Sequence, residues 1–182
     1  MQLFSFILIV ALGSSTSWAT PTPSSVQVDK RVPADVTVNT PPQNTITCAG
    51  AKTWDSAYMQ EAIRHATDFK AQGLLQGKDD YPHVFHNRPQ QYLDGSGTQP
   101  PFVFPNCPSG ELLEFPLVRD QSRFVYYTPG QSKNKPGTNN PDRVIFTYQG
   151  PTEATYCGVL THDGAEAKKL WKSDFLACDP LY

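Results

Sequence analysis

Apolar residues recur with helical spacing in the segment from residue 54 to residue 75. The apolar face of this stretch consists of Tyr58, Ala62, His65 or Ala66, and Phe69. Thr53 is a suitable N-cap, and Gly77 is a suitable residue to end the helix. The pattern predicts one amphipathic helix, in which we interpret His65 as a structural residue.

Short runs rich in Val, Ile, Phe and Tyr follow in the second half of the chain, where Pro, Gly and Asn separate them. The predicted strands cover residues 112–118, 124–127, 144–148 and 156–161. A helix followed by four or five short strands is typical of an α+β fold. We expect one helix packed on a twisted antiparallel sheet, with long loops between the strands.

The N-terminal segment differs from the rest of the chain. Residues 3–12 form an apolar run, and small residues follow it up to Ala19, as in a secretory signal peptide of residues 1–19. This run is too short to span a bilayer, and we expect no membrane span. Residues 20–44 are rich in Pro, Thr and Ser and are predicted to be a linker or propeptide. The folded domain is placed at residues 45–182 of a secreted, extracellular protein.

The predicted linker contains a dibasic pair, Lys30-Arg31. Such a pair is either a processing site or simply two solvated side chains. Cleavage after Arg31 would remove two basic residues and one acidic residue, so the mature chain would stay acidic.

Four cysteines lie beyond the linker, at Cys48, Cys107, Cys157 and Cys178. An even number in an exported chain favours two disulfides over a metal site, and no C-x-x-C pair suggests zinc. The sequence alone allows three pairings. Cys48 and Cys178 nearly bracket the folded region, so a bond between them would tie its ends together and leave Cys107 to pair with Cys157.

The charge balance limits the partners of the protein. The chain has 15 Lys and Arg residues against 17 Asp and Glu residues, a net charge of −2. This excludes the strongly basic profile of proteins that are held on nucleic acid mainly by phosphate contacts. Any role in nucleic-acid chemistry must therefore depend on a local site.

Ionisable residues interrupt the predicted strands at a few places. Glu114 stands among large apolar residues, Arg143 opens the strand at 144–148, and His162 closes the strand at 156–161. A fourth group, Tyr81-Pro82-His83, lies between the helix and the first strand. A carboxylate such as that of Glu114 is costly on an apolar strand unless it is paired or used.

Each of these residues also has an ordinary structural interpretation. Glu114 could face solvent on an edge strand, Arg143 could be its ion-pair partner, and His162 could be a turn residue. His83 and His86 have the spacing of a metal pair, but no third ligand follows at a useful distance. We therefore expect no metal.

Taken together, one carboxylate, two imidazoles, a guanidinium and a phenol are the groups needed to cleave RNA through its own 2′-hydroxyl. A base takes the 2′-OH proton, an acid protonates the departing 5′-oxygen, and cations stabilise the phosphorane. This chemistry needs no cofactor and excludes DNA as a substrate. A serine hydrolase is a poorer interpretation, because the chain has neither G-x-S-x-G nor a Gly-rich phosphate-binding motif.

Four segments in order resemble the signature segments of the small secreted fungal ribonucleases, a family of guanyl-specific and purine-preferring enzymes that includes the α-sarcin-type ribotoxins. These segments are Tyr81-Pro82-His83, Leu113-Glu114-Phe115-Pro116, Pro141-Asp142-Arg143-Val144-Ile145 and Thr161-His162-Asp163-Gly164-Ala165. The resemblance covers roughly Cys48 to Cys178. It implies one helix on a twisted antiparallel sheet, in agreement with the patterns above.

The resemblance implies a role for each matching residue. Glu114 would be the general base, His162 the general acid, and Arg143 the group that stabilises the pentacoordinate phosphate. His83 would be a charged partner of the base, and Tyr81 would donate a hydrogen bond to the phosphate. The implied products are 2′,3′-cyclic phosphates, which are hydrolysed more slowly to 3′-phosphates.

The resemblance also implies a substrate-binding set. Phe175 would line the phosphate site, although core packing explains it equally well. The segment after His83 would carry the base-recognition loop, in which Asn87 matches the family, but no carboxylate stands at the family's position. We therefore expect a guanine or relaxed purine preference.

A long loop at residues 128–141 leaves a second interpretation open. The resemblance implies that Lys133 and Lys135 of this loop would bind ribosomal RNA, as in a ribotoxin that cleaves the sarcin-ricin loop and blocks translation. The acidic chain lacks the positive field that would speed association with a ribosome, which favours a general ribonuclease over a ribotoxin. We expect its substrate to be single-stranded RNA and the protein to be a monomer. A non-catalytic secreted effector that keeps the ribonuclease fold for a host target is a further alternative.

Overall fold

A computed structural model describes residues 35–49, 52–76, 79–92, 94–119, 140–165 and 174–179. Within these ranges the chain forms one helix and several short strands, which confirms the predicted α+β class. The elements in chain order are β1 (Thr37–Asn39), β2 (Ile46–Cys48), β3 (Lys52–Trp54), α1 (Ser56–Gln72), β4 (His83–Val84), β5 (Gln90–Gln91), β6 (Thr98–Gln99), β7 (Leu112–Pro116), β8 (Asp142–Gly150), β9 (Glu153–Thr161) and β10 (Leu176–Ala177).

The helix α1 is shorter than its sequence pattern predicted. It begins after Asp55, whose carboxylate accepts a hydrogen bond from the Tyr58 N–H at 2.7 Å. It ends at Gly73, which has a left-handed φ of 65° that glycine adopts without steric cost. Thr53 was wrongly predicted as the N-cap, because it lies in β3 and pairs with Thr47 of β2. Gly73 therefore takes the role predicted for Gly77, which lies outside the described residues.

The main sheet has the strand order β1-β9-β8-β7-β4, and β10 also pairs with β9. The strands β7, β8 and β9 pair antiparallel and contain three of the four predicted strands. The fourth, at residues 124–127, lies outside the described residues. The strand β1 departs from the antiparallel prediction because it pairs parallel to β9, with Val38 opposite Ala154.

One face of the sheet packs against α1 and forms the main core. The residues with helical spacing point toward it, and Met59, Ala62, Ile63 and Ala66 are fully buried. From the sheet, Leu113 and Phe115 of β7 and Val144 and Phe146 of β8 join the same apolar cluster. Because strand side chains alternate, the residues between them, Glu114 and Ile145, belong to the opposite face.

A smaller apolar cluster lies on that opposite face. It consists of Phe85, Phe102, Ile145, Cys157, Leu160 and Phe175. The disulfide between Cys107 and Cys157 joins a loop to β9 here. The second disulfide links Cys48 to Cys178 across a sequence separation of 130 and connects the two ends of the fold, so both predicted pairings are confirmed.

Within the described ranges, no helix has the length and apolar character that a membrane crossing requires.

Candidate active site

The pairing of β4 with β7 places His83 directly opposite Glu114. The His83 Nε2 lies 2.6 Å from the Glu114 Oε1, and the His83 Nδ1 lies 2.6 Å from the Asp79 carbonyl oxygen. Both partners are acceptors, so both ring nitrogens donate when the imidazole is protonated. The hydrogen bond with Glu114 is the main reason that the pKa of His83 is raised.

Glu114 is largely shielded from water, with 8% of its surface exposed. Its Oε1 faces His83, whereas its Oε2 has no hydrogen-bond partner among the described residues. Oε2 lies 3.9 Å from the Arg143 Nε, close enough for an ion pair but too far for a hydrogen bond. A buried carboxylate oxygen without a hydrogen bond is a natural acceptor for a proton from a substrate.

Arg143 enters the same face from β8, which neighbours β7. Its Nε donates to the Tyr81 hydroxyl at 2.9 Å, and its guanidinium carbon lies 5.1 Å from the centre of the Tyr81 ring. Its Nη1 donates to the carbonyl oxygens of Asn140 and Asp142. Burial raises the pKa of Tyr81, so the phenol remains a donor. These contacts hold the guanidinium beside Glu114.

His162 follows the end of β9. Its Nδ1 donates to the Asp174 carbonyl oxygen at 2.8 Å, which leaves Nε2 as the nitrogen that could exchange a proton. Its ring packs on Phe175 with the ring centres 3.8 Å apart. Burial, assisted by the positive charge of Arg143, lowers the pKa of His162.

A cleft of about 530 Å³ adjoins these groups on the sheet face opposite α1. It is lined by His83, Val84, Phe85, His86, Arg88, Gln90, Glu114, Asp174 and Phe175. Phe175 lines the cleft and also packs on Phe85 in the smaller core, so its position agrees with both a binding role and a packing role. Arg88 approaches Asp174, with its Nη2 3.7 Å from Oδ1.

The other residues singled out in the sequence lie elsewhere. The Asn87 side chain exchanges two hydrogen bonds with the Phe102 backbone, at 2.7 and 2.8 Å, and so fastens the segment that carries Arg88. His65 is buried on α1, away from the cleft, and burial lowers its pKa to about 4. Lys133 and Lys135 lie outside the described residues.

Sequence reasoning missed two carboxylates that contribute to the site. Asp174 is 1% exposed, holds His162 through its backbone and lines the cleft. Asp142, which directly precedes Arg143, is fully buried. The position of Asp142 beside Arg143 was a usable signal, whereas Asp174 stands 12 residues beyond His162 and nothing local marks it.

The arrangement combines a possible proton acceptor and an imidazole in the cleft, Glu114 and His83, with two groups that contact lining residues: His162 on Phe175 and Arg143 beside Glu114. Such a set suits acid–base catalysis on a phosphodiester and offers no nucleophile of its own. One cluster of possible metal ligands occurs among the described residues, at Cys48, Asp142 and Cys178. Its two sulfurs are bonded to each other and cannot act as thiolate ligands.

Two comparisons with known proteins bear on this geometry. A search of curated proteins found no match. A protein-family model described as ribonuclease matches residues 41–179, a range that includes all of the ionisable residues around the cleft. The match covers well over half of the chain, so the protein belongs to the ribonuclease family and its substrate is RNA.

Proposed function

We propose that the protein is a secreted endoribonuclease that cleaves single-stranded RNA by transesterification through the 2′-hydroxyl, without a metal. The observation that carries this proposal is the buried Glu114 carboxylate, with one oxygen on His83 and the other without a hydrogen bond among the described residues, beside Arg143. His162, whose Nε2 is left for proton exchange, supplies the opposite partner.

In the first step, Glu114 takes the proton of the 2′-hydroxyl as the 2′-oxygen attacks phosphorus. His162 gives its Nε2 proton to the departing 5′-oxygen, so a 2′,3′-cyclic phosphate and a free 5′-hydroxyl are formed. The positive charges of Arg143 and His83 stabilise the negative charge that develops on the equatorial oxygens. Tyr81 accepts a hydrogen bond from the Arg143 Nε and so holds the guanidinium, and its phenol would donate to the phosphate.

In the slower second step the two roles are exchanged. Neutral His162 takes a proton from water, which attacks the cyclic phosphate, and the protonated Glu114 returns its proton to the 2′-oxygen. The product is a 3′-phosphate.

The test of this mechanism is a pair of substitutions, the isosteric Glu114→Gln and His162→Gln, which replaces the imidazole with an amide that does not titrate. Each removes one proton-transfer group and should lower kcat/KM for RNA by about 10²- to 10⁴-fold. Glu111→Gln is a matched control, because Glu111 is exposed and pairs only with Lys70 among the described residues. Unchanged cleavage by both variants would remove the basis of the proposal.

The cleft also supports a preference for purines, with guanine first. Glu114 and His83 line the same cleft as Arg88 and Asp174, so we expect a nucleoside whose 2′-hydroxyl meets Glu114 to direct its base toward Arg88 and Asp174. Arginine pairs well with the O6 and N7 acceptors of guanine, and a carboxylate accepts from its N–H donors. The Asp174 Oδ2 has no hydrogen-bond partner among the described residues.

Base choice is measured with the dinucleoside phosphates GpU, ApU, CpU and UpU. We expect GpU to be cleaved fastest, ApU next, and the pyrimidine substrates slowest. Arg88→Met should reduce the ratio of GpU to ApU cleavage by about 10-fold or more, since one good base contact contributes about 1–3 kcal/mol. Fastest cleavage of CpU would contradict the purine preference.

A reticulocyte lysate separates this proposal from a ribotoxin and from a non-catalytic effector. General degradation of RNA supports the ribonuclease. One discrete fragment of the large ribosomal RNA would indicate a ribotoxin, and intact RNA would indicate a binding protein.

A further inference from the structure

Arg119 binds the ends of three strands that carry the catalytic groups. It follows β7, and its Nε and Nη2 donate to the two carboxylate oxygens of Asp142 in β8 at 2.9 and 3.2 Å. Its Nη1 lies 2.8 Å from the Asp163 Oδ2, just beyond β9. One guanidinium therefore joins the chain after Glu114, the residue before Arg143 and the residue after His162.

The contact with Asp142 matters because of where that carboxylate lies. Asp142 is fully buried, and Arg143 follows it in the sequence and donates through Nη1 to its carbonyl oxygen at 3.0 Å. A buried carboxylate without a partner is strongly destabilising and attracts the nearest cation. Without Arg119, the nearest cation on this strand would be Arg143.

The backbone around Arg119 shows that the three strand ends form one unit. The Arg119 N–H donates to the Asn140 side-chain oxygen at 3.1 Å, and Arg143 donates to the Asn140 carbonyl oxygen. The His162 N–H donates to the Pro141 carbonyl oxygen at 2.9 Å. A displacement at residues 140–142 would reach both Arg143 and His162.

We propose that Arg119 is a positioning residue for the cleavage reaction: it neutralises Asp142, so that Arg143 remains directed toward the scissile phosphate, and it fixes Asp163 beside His162. This inference rests on the proposed function of Arg143 and His162. Arg119 itself lies at the strand ends, and the contacts of its guanidinium among the described residues are with Asp142, Asp163 and the Ala49 carbonyl oxygen.

The test begins with Arg119→Met in the full chain, with GpU as the substrate. We expect kcat to fall by about 10- to 100-fold, because a catalytic group would be misplaced. KM should change by less than about threefold, because substrate binding itself would be little affected. The matched control is Arg64→Met, because the Arg64 Nε donates to the Val36 carbonyl oxygen on the far side of the sheet. Circular dichroism gives the folded fraction of each variant.

The decisive measurement is the double variant Arg119→Met with Asp142→Asn. If Arg119 acts by neutralising Asp142, removal of both charges should restore most of the lost kcat. A kcat of Arg119→Met equal to that of Arg64→Met, or a double variant as slow as the single one, would overturn the inference.

A second variant covers the case in which Arg119→Met does not fold. Asp163→Ala removes only the contact beside His162, and Asp163 is partly exposed, so the fold should be retained. We expect a several-fold loss of kcat at an unchanged Tm, and an unchanged kcat would count against the inference. Full activity of Glu114→Gln and His162→Gln would instead show that the proposed function has failed.

Discussion

His83 and His162 carry the same side chain, but their surroundings move their pKa values in opposite directions. The hydrogen bond to Glu114 raises the pKa of His83, whereas burial lowers the pKa of His162. Two titratable groups separated in this way indicate separate roles. His83 is suited to remain a cation beside the base, and His162 is suited to exchange its proton during the reaction.

The lowered pKa of His162 predicts an acidic optimum for cyclisation. As general acid, His162 must be protonated, and burial places its pKa below the ordinary value of about 6.5. The alkaline limb of kcat/KM for GpU should therefore lie at a pH below the ordinary histidine pKa of about 6.5. Hydrolysis of the cyclic phosphate needs neutral His162 and should have a higher optimum. An alkaline limb well above about pH 7 would contradict the assignment of His162 as general acid.

His65 predicts a loss of stability in acid. Its pKa is about 4 in the folded state, mainly because it is buried, and about 6.5 when unfolded. As the pH falls, His65 takes up its proton in the unfolded chain before it does so in the folded chain. The free energy of unfolding is therefore unaffected by His65 above about pH 6.5 and falls by roughly 3 kcal/mol between that pH and pH 4. The free energy of unfolding, measured with urea, should differ between pH 7 and pH 4 by about this much less in His65→Leu than in the unchanged protein.

At the scale of elements, local patterns predicted what local contacts determine. The burial of Tyr58, Ala62 and Phe69 on α1 followed from their spacing, and β7, β8 and β9 followed from their apolar runs. The parallel pairing of β1 with β9 joins residues far apart in the chain, such as Thr37 and Glu153, and no local signal encodes it. The same holds for Asp174, which reaches the site only through tertiary packing.

The N-terminal end of α1 provides a test at this scale. Asp55→Ala removes the acceptor for the Tyr58 N–H and should lower the free energy of unfolding by about 1 kcal/mol. Asp55→Asn keeps a capping oxygen and should be nearly neutral. Thermal unfolding of the two variants separates them, and equal losses would show that Asp55 acts through its charge rather than as a cap.

At the scale of the whole molecule, the two disulfides close loops of different length. Their sequence separations are 130 for Cys48–Cys178 and 50 for Cys107–Cys157. The loop-entropy relation gives about 5 and about 4 kcal/mol, respectively. We expect Cys48→Ala/Cys178→Ala to be less stable than Cys107→Ala/Cys157→Ala by urea unfolding. The reverse order would show that packing around Cys157 outweighs loop entropy.

The net charge of −2 predicts weak dependence of RNA binding on salt. His83 and Arg143 are the cations proposed to act on the phosphate, which suits about two phosphate contacts, and a single strand then gives a slope of about −1.4 for log K against log salt. Binding of an uncleavable 2′-deoxy substrate measures this slope. A much steeper slope would indicate a basic surface beyond the described residues.

The bond between Cys48 and Cys178 also affects whether the protein could cleave RNA of the cell that makes it. Residues 174–179 include both Cys178 and Asp174, whose carbonyl oxygen orients His162, and the Cys178 N–H donates to the Val159 carbonyl oxygen. Only the oxidised chain has the covalent link that keeps this segment under His162, the proposed general acid. A copy made in a reducing cytosol would lack that link, so it would meet the producer's own transcripts before its proposed proton donor is held in place.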